Sequence, residues 1–237
     1  MPTKKNDKST PGKADLSSSC DCPESTWVYI WSMTAEKVGH AAIQVGGCEP
    51  KRQDQDNKGE YMSIHPRSIP AIGPTIIFPL PAALSTTLTD DMASEAASLR
   101  NDETLEMPTA FRPRHLPTSL PPDYTFKVPN LRVDAMRTLM KTTKEEVETG
   151  QTTYQLLPKV NTLTFFKELP QYINYNSIDI INPPRQSHKG HTYGDKKYNC
   201  ATLVSSILVA GGLPIQQSSM PWGQTPDSLA NQLSNFK

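Results

Sequence analysis

A chain of 237 residues, 36% of them hydrophobic and with a mean hydropathy of -0.52, has material for one domain with a lean core. Its 24 basic residues balance its 24 acidic ones, so no overall field draws nucleic acid or an anionic lipid surface. The longest apolar runs reach roughly a dozen residues, too short to span a bilayer, and 22 prolines, about twice the usual share, predict a large loop fraction.

Residues 1–24, rich in Lys, Ser, Asp and Pro, read as a disordered leader without the apolar stretch of a Sec signal. Four cysteines do not make a disulfide scaffold. Cys20 and Cys22 form a Cys-x-Cys with no second pair at zinc spacing, so neither a metal nor a cofactor is expected. Order is expected from "TWVYIWSM", a strand, followed by a second strand in "GHAAIQVGG" and a third in "YMSIHP", stopped by Pro66. From residue 67 to 130 the chain is rich in proline and small polar residues. That stretch reads as an insertion or cover with little core of its own, holding one helical window at "TDDMASEAASLR" that Thr89 or Asp90 could cap.

The apolar spacing of Leu131, Met136, Leu139, Met140 and Val147 predicts a helix closed by Gly150. "TYQLL" is consistent with a strand, "TLTFFKELPQYI" with helix or strand, and "NPPRQSHKGHTYGDKK" with loop. A helix follows in "NCATLVSSILVAGG", with Leu203, Ile207 and Leu208 on one face, and a last one begins near "TPDSL", with Thr225 as N-cap and Pro226 after it. The whole reads as a leader over 1–24 and one domain over 25–237.

Cys200 stands at the start of its helix, where unpaired amide N–H groups and the helix dipole favour an anion and hence a nucleophilic thiolate. A thiol of this kind is also often just buried core. The search for a histidine to take its proton separates the two readings. Of the five histidines, His115 lies among prolines, and His188 and His191 share one loop. His40 opens a strand after Gly39, which leaves room for a substrate, and shares a face with Ala42 and Gln44. In the next strand Tyr61, Ser63 and His65 point one way. If the strands pair, His65, or else Ser63 or Gln44, can orient His40.

"GHAAIQVGG", "YMSIHP", "YNCATLVSSILVAGG" and the "PWGQTP" tail resemble, in that order, the circularly permuted NlpC/P60 (papain-like) cysteine hydrolases. The resemblance covers about residues 26–66 and 196–232, with histidine before cysteine as in the permuted branch. His65 stands where relatives carry tryptophan. The resemblance implies one catalytic domain over 25–237 of α+β fold, a small antiparallel sheet packed on the cysteine helix, with Cys200 as nucleophile, His40 as base and His65 (or Ser63) as third polar residue. It also implies an oxyanion site of backbone N–H groups at the helix start, with Trp222 as a pocket wall.

That superfamily includes peptidoglycan amidases and endopeptidases, lipid acyltransferases and effector toxins, all working through a thioester. With no Sec signal, wall-binding repeat or membrane anchor visible, the chain resembles type VI secretion effectors that cut the peptidoglycan stem peptide. Such a protein is made in the cytoplasm, exported without a Sec signal and active in the target's periplasm, with secretion-apparatus and immunity proteins as partners. The alternatives are a protease, deamidase or transglutaminase acting on a host cytosolic protein, or a lipid-directed acyltransferase.

Overall fold

The computed structural model describes residues 25–34, 37–47, 59–67, 76–101, 117–160, 196–220 and 223–236. Among these the architecture is α+β, with seven strands and four helices. The strands are β1 (Thr26–Trp31), β2 (His40–Val45), β3 (Glu60–Pro66), β4 (Leu80–Ser85), β5 (Tyr124–Val128), β6 (Thr152–Tyr154) and β7 (Lys196–Tyr198). The helices are α1 (Leu88–Asn101), α2 (Val133–Glu148), α3 (Cys200–Ala210) and α4 (Pro226–Ser234). The sheet order is β5-β1-β2-β3-β4-β6-β7; every neighbouring pair is antiparallel except β6 and β7, which run parallel. The sheet is therefore mixed, and larger than the small antiparallel one expected.

Alternation along the central strands explains both layers. Val28, Ile30, Ala41, Ile43, Val45, Met62 and Ile64 face one side. There they meet Met136, Met140 and Val147 of α2, Leu203, Val204 and Ile207 of α3, and Leu229 and Leu233 of α4. Trp27, Tyr29, Trp31, Ala42 and Tyr61 face the other side and pack on Met92 of α1, with Leu88 beside them. β1 is buried at every residue because both of its faces are covered, which is why it reads as one apolar run. At roughly 1.5–3 kcal/mol per fully buried large apolar side chain, these two layers supply the main favourable term in folding.

The stretch read as a cover differs from that expectation. It donates β4, which pairs with β3, and β5, which pairs with β1 over Tyr124–Val128, and it buries Leu80, Ala82, Phe126 and Val128 in the core. Proline did not prevent this: Pro81 lies near the start of β4, and the residues of β5 follow the last proline of their loop. The cap of α1 also differs. Thr87 Oγ1 accepts the Asp90 N–H at 3.1 Å, so the cap lies two residues before Thr89. The first turn then carries Asp90 and Asp91, acids that a helix N-terminus favours. "TYQLL" shortens to β6, "TLTFFKELPQYI" lies outside the described residues, and the final helix begins as read, with a Thr225–Ser228 capping box and Pro226 at its first position.

Candidate active site

α3 begins where its sequence directs. Asn199 Oδ1 accepts the Thr202 N–H at 2.8 Å and Thr202 Oγ1 accepts the Asn199 N–H at 2.9 Å, a reciprocal capping box. Asn199 is anchored in turn, its Nδ2 donating to the Leu156 and Gln224 carbonyls. Leu203 N–H closes onto Asn199 O at 3.1 Å. The Cys200 and Ala201 amides head the helix, ahead of its i to i−4 ladder. Cys200 is 5% exposed and is a free thiol; it is the cysteine that falls among the described residues.

His40 is the first residue of β2, at the end of the sheet, so its ring can meet groups from α1 and α3 together. Its Nε2 donates to Asp91 Oδ2 at 3.1 Å, and the Cys200 thiol lies near enough to the ring to raise its pKa. With Nε2 given to Asp91, Nδ1 is the nitrogen left for the thiol. Trp31, its partner across β1 and β2, lies 5.3 Å from it between ring centroids and walls one side.

Asp91 holds the cluster together. Its Oδ1 accepts from His65 Nε2 at 2.7 Å, and its Oδ2 accepts from both His40 Nε2 and the Tyr61 hydroxyl, the latter at 2.6 Å. The carboxylate is fully buried. Burial would push its pKa up, but hydrogen bonds to His40 and His65 and their positive charge dominate and hold it well below the usual carboxylate range. For His40, burial would pull the pKa down; hydrogen bonds to Asp91 and then to Cys200, with the charges on both, outweigh burial and raise it to about 10. Burial, followed by the Asp91 charge, raises the Tyr61 phenol, which stays protonated and able to donate.

The remaining sequence candidates take clear places. His65 does not hydrogen-bond the His40 ring; the two imidazoles stack at 4.4 Å and share Asp91 between them. Ser63 Oγ lies 3.1 Å from His65 Nε2, one step further out. Gln44 points along the same face, but its amide donates to Gly46 O and accepts from Tyr29 OH. Gly39 lies beside Cys200 in the lining of a cavity, and its φ of +77° and a Trp31 oxygen only 2.8 Å from where a Cβ would sit make glycine necessary there. Trp222, His115, His188, His191, Cys20, Cys22 and Cys48 lie outside the described residues.

Sequence reasoning missed Asp91. A signal was present: Leu88, Met92 and Ala96 recur at helical spacing, and Asp91, three residues after Leu88, falls on that inward face. His40, His65 and Asp91 also each bring one ligand atom within 4.8 Å of the others, a separation that suits a metal ion as well as a hydrogen-bonded cluster. The chain matches no family model, and comparison with curated proteins and with solved structures gives no match either.

Proposed function

We propose that this protein is a cysteine hydrolase of permuted papain-like fold, cleaving an amide bond through a thioester. The observation that supports this most is a buried thiol at a helix N-terminus, beside an imidazole whose Nε2 is held by a buried carboxylate. Cys200 Sγ attacks the scissile carbonyl carbon with the thiol proton already held on His40, whose pKa is raised to about 10. The C–N bond then breaks as His40 returns that proton to the departing amine. Water, deprotonated by His40, attacks the thioester; the S–C bond breaks, the acid leaves and the thiol is restored. In this reading the amides of Cys200 and Ala201, at the head of the helix, donate to the oxyanion in both halves. Asp91 fixes the ring and stabilises the imidazolium, while His65 and Tyr61 fix Asp91.

For the substrate we propose an amide of the peptidoglycan stem peptide, the protein being delivered as an antibacterial effector to a target periplasm. That reading rests on the sequence resemblance and on the neutral charge, with a host protein as the second substrate class. Purified sacculi incubated with the protein and analysed by mass spectrometry test it. Release of stem-peptide fragments that Cys200→Ala does not release is expected; intact sacculi alongside turnover of a protein substrate would overturn the peptidoglycan part.

The ligand-atom cluster adds a second expectation. EDTA should leave turnover unchanged, because a thiol mechanism needs no metal, and added zinc should suppress it by taking His40, His65 and Asp91. Loss of turnover in EDTA, restored by a metal, would favour a metal-dependent hydrolase.

A further inference from the structure

We propose that the cavity beside Cys200 selects an aliphatic group on the acyl side of the scissile bond. This rests on the thiol reading above and names what that site accepts.

The cavity measures about 270 Å3, and Met33, Val38, Leu156, Leu157 and Pro226 line it next to Cys200. At about 30 Å3 per liquid water, the space equals roughly nine waters. It therefore holds a chain of several methylenes or a branched side chain. Its polar neighbours are already engaged. Asn199 spends its side chain on Thr202 N–H and two carbonyls, and Thr225 Oγ1 accepts the Ser228 N–H. Among the described residues, the lining holds no ionisable side chain apart from Cys200, so a charged or hydrogen-bonding substituent entering it would lose its water without replacement. The contrast lies elsewhere on the molecule, where a cavity of about 810 Å3 along α2 is lined by Arg67, Arg137, Lys141 and Lys144.

The rim carries the same preference. Met33 is 44% exposed and Val38 40% exposed, apolar side chains left in water on either side of the Thr34–Lys37 hydrogen bond. The backbone leading to Met33 is anchored, with Ser32 N–H donating to Asp123 Oδ2 at 2.7 Å and Met33 N–H to Asp227 Oδ2 at 3.3 Å. A preformed apolar site at a nucleophile binds its occupant without first paying to order itself.

The test uses p-nitrophenyl esters from acetyl to dodecanoyl. Cys200 Sγ bonds to the carbonyl carbon, p-nitrophenoxide leaves, the thiol proton passes through His40 to solvent, and water then releases the acid. We expect kcat/KM to rise about fourfold per methylene up to the length that fills the cavity, then level off. Val38→Glu and Met33→Glu, at exposed positions where folding is not at risk, should each lower the octanoyl-to-acetyl ratio about tenfold or more. A parallel set of coumarin amides with Leu, Ala or Glu on the acyl side should run Leu first and Glu last. Whichever series shows the steeper dependence identifies the source as fatty acyl or peptide. A flat series, a Glu preference, or ratios unchanged in both variants would overturn the inference, even with Cys200 acylated throughout. If no ester or amide adds its acyl mass to Cys200, the thiol reading has failed and this inference with it.

Discussion

Cys200→Ala and His40→Ala should each lower kcat by about 10⁴-fold or more, and the double variant should be hardly worse than either. In the proposed mechanism the two groups act as one unit: without the imidazole the thiol has no proton acceptor, and without the thiol the imidazole has nothing to activate. Neither change should unfold the protein by itself. Cys200→Ala removes one sulfur from a layer otherwise made of Leu203, Val204 and Ile207. His40→Ala leaves Asp91 with His65 and Tyr61 as donors. Steady-state kinetics with circular dichroism as a folding control check this. A His40→Ala variant within tenfold of the parent protein would mean that another base serves Cys200.

Asp91 should matter to both activity and stability. Asp91→Ala strips the shared acceptor from His40, His65 and Tyr61 at a fully buried position, and should cost about 3–5 kcal/mol. Asp91→Asn keeps the shape but offers an N–H where one histidine expects an oxygen, and should lower kcat about 10²- to 10⁴-fold. The pH dependence of unfolding separates the charge from the shape. His40 keeps its proton in the folded state up to about pH 10, and in the unfolded chain only to about 6.5. Between these values the folded state holds more protons, so its stability falls as pH rises, by up to about 5 kcal/mol at 1.36 kcal/mol per unit. Below pH 6.5 that contribution is fully present. Asp91 has its pKa lowered, so its contribution is present above the unfolded carboxylate range and lost as pH falls below it. Denaturant titrations across this range should show both limbs in the parent protein and much shallower ones in Asp91→Asn. Identical profiles would mean that Asp91 and His40 are not a charged pair.

How much of this was legible in the chain follows from what each element rests on. β1, β2 and β3 show strand chemistry because their alternate residues meet different layers, and α2 shows helical spacing because only one of its faces is buried. α3 and α4 announce themselves through capping residues, Asn199 with Thr202 and Thr225 with Ser228. β4 and β7 do not: one carries Pro81, and the other is three residues, Lys196–Tyr198, held in the sheet by parallel pairing with β6. β5 lies among prolines and is fixed by its partner β1, a contact that no local signal encodes. The site divides in the same way. Cys200 and His40 were legible through the types and order of residues around them, and His65 through its place on the Tyr61–Ser63–His65 face. That His65 serves Asp91 rather than His40 depends on a carboxylate arriving from α1, on the opposite side of the sheet from α3, and therefore on tertiary packing.

The central claim is that the Cys200 thiol carries the acyl group. Acid-quenched intact-mass analysis of the protein mixed with an octanoyl ester, followed by peptide mapping, measures this directly. The account predicts a mass increase of one octanoyl group located on the peptide containing Cys200, lost on treatment with hydroxylamine and absent in His40→Ala on the same time scale. Turnover with no adduct on Cys200, or an adduct on another residue, would contradict it.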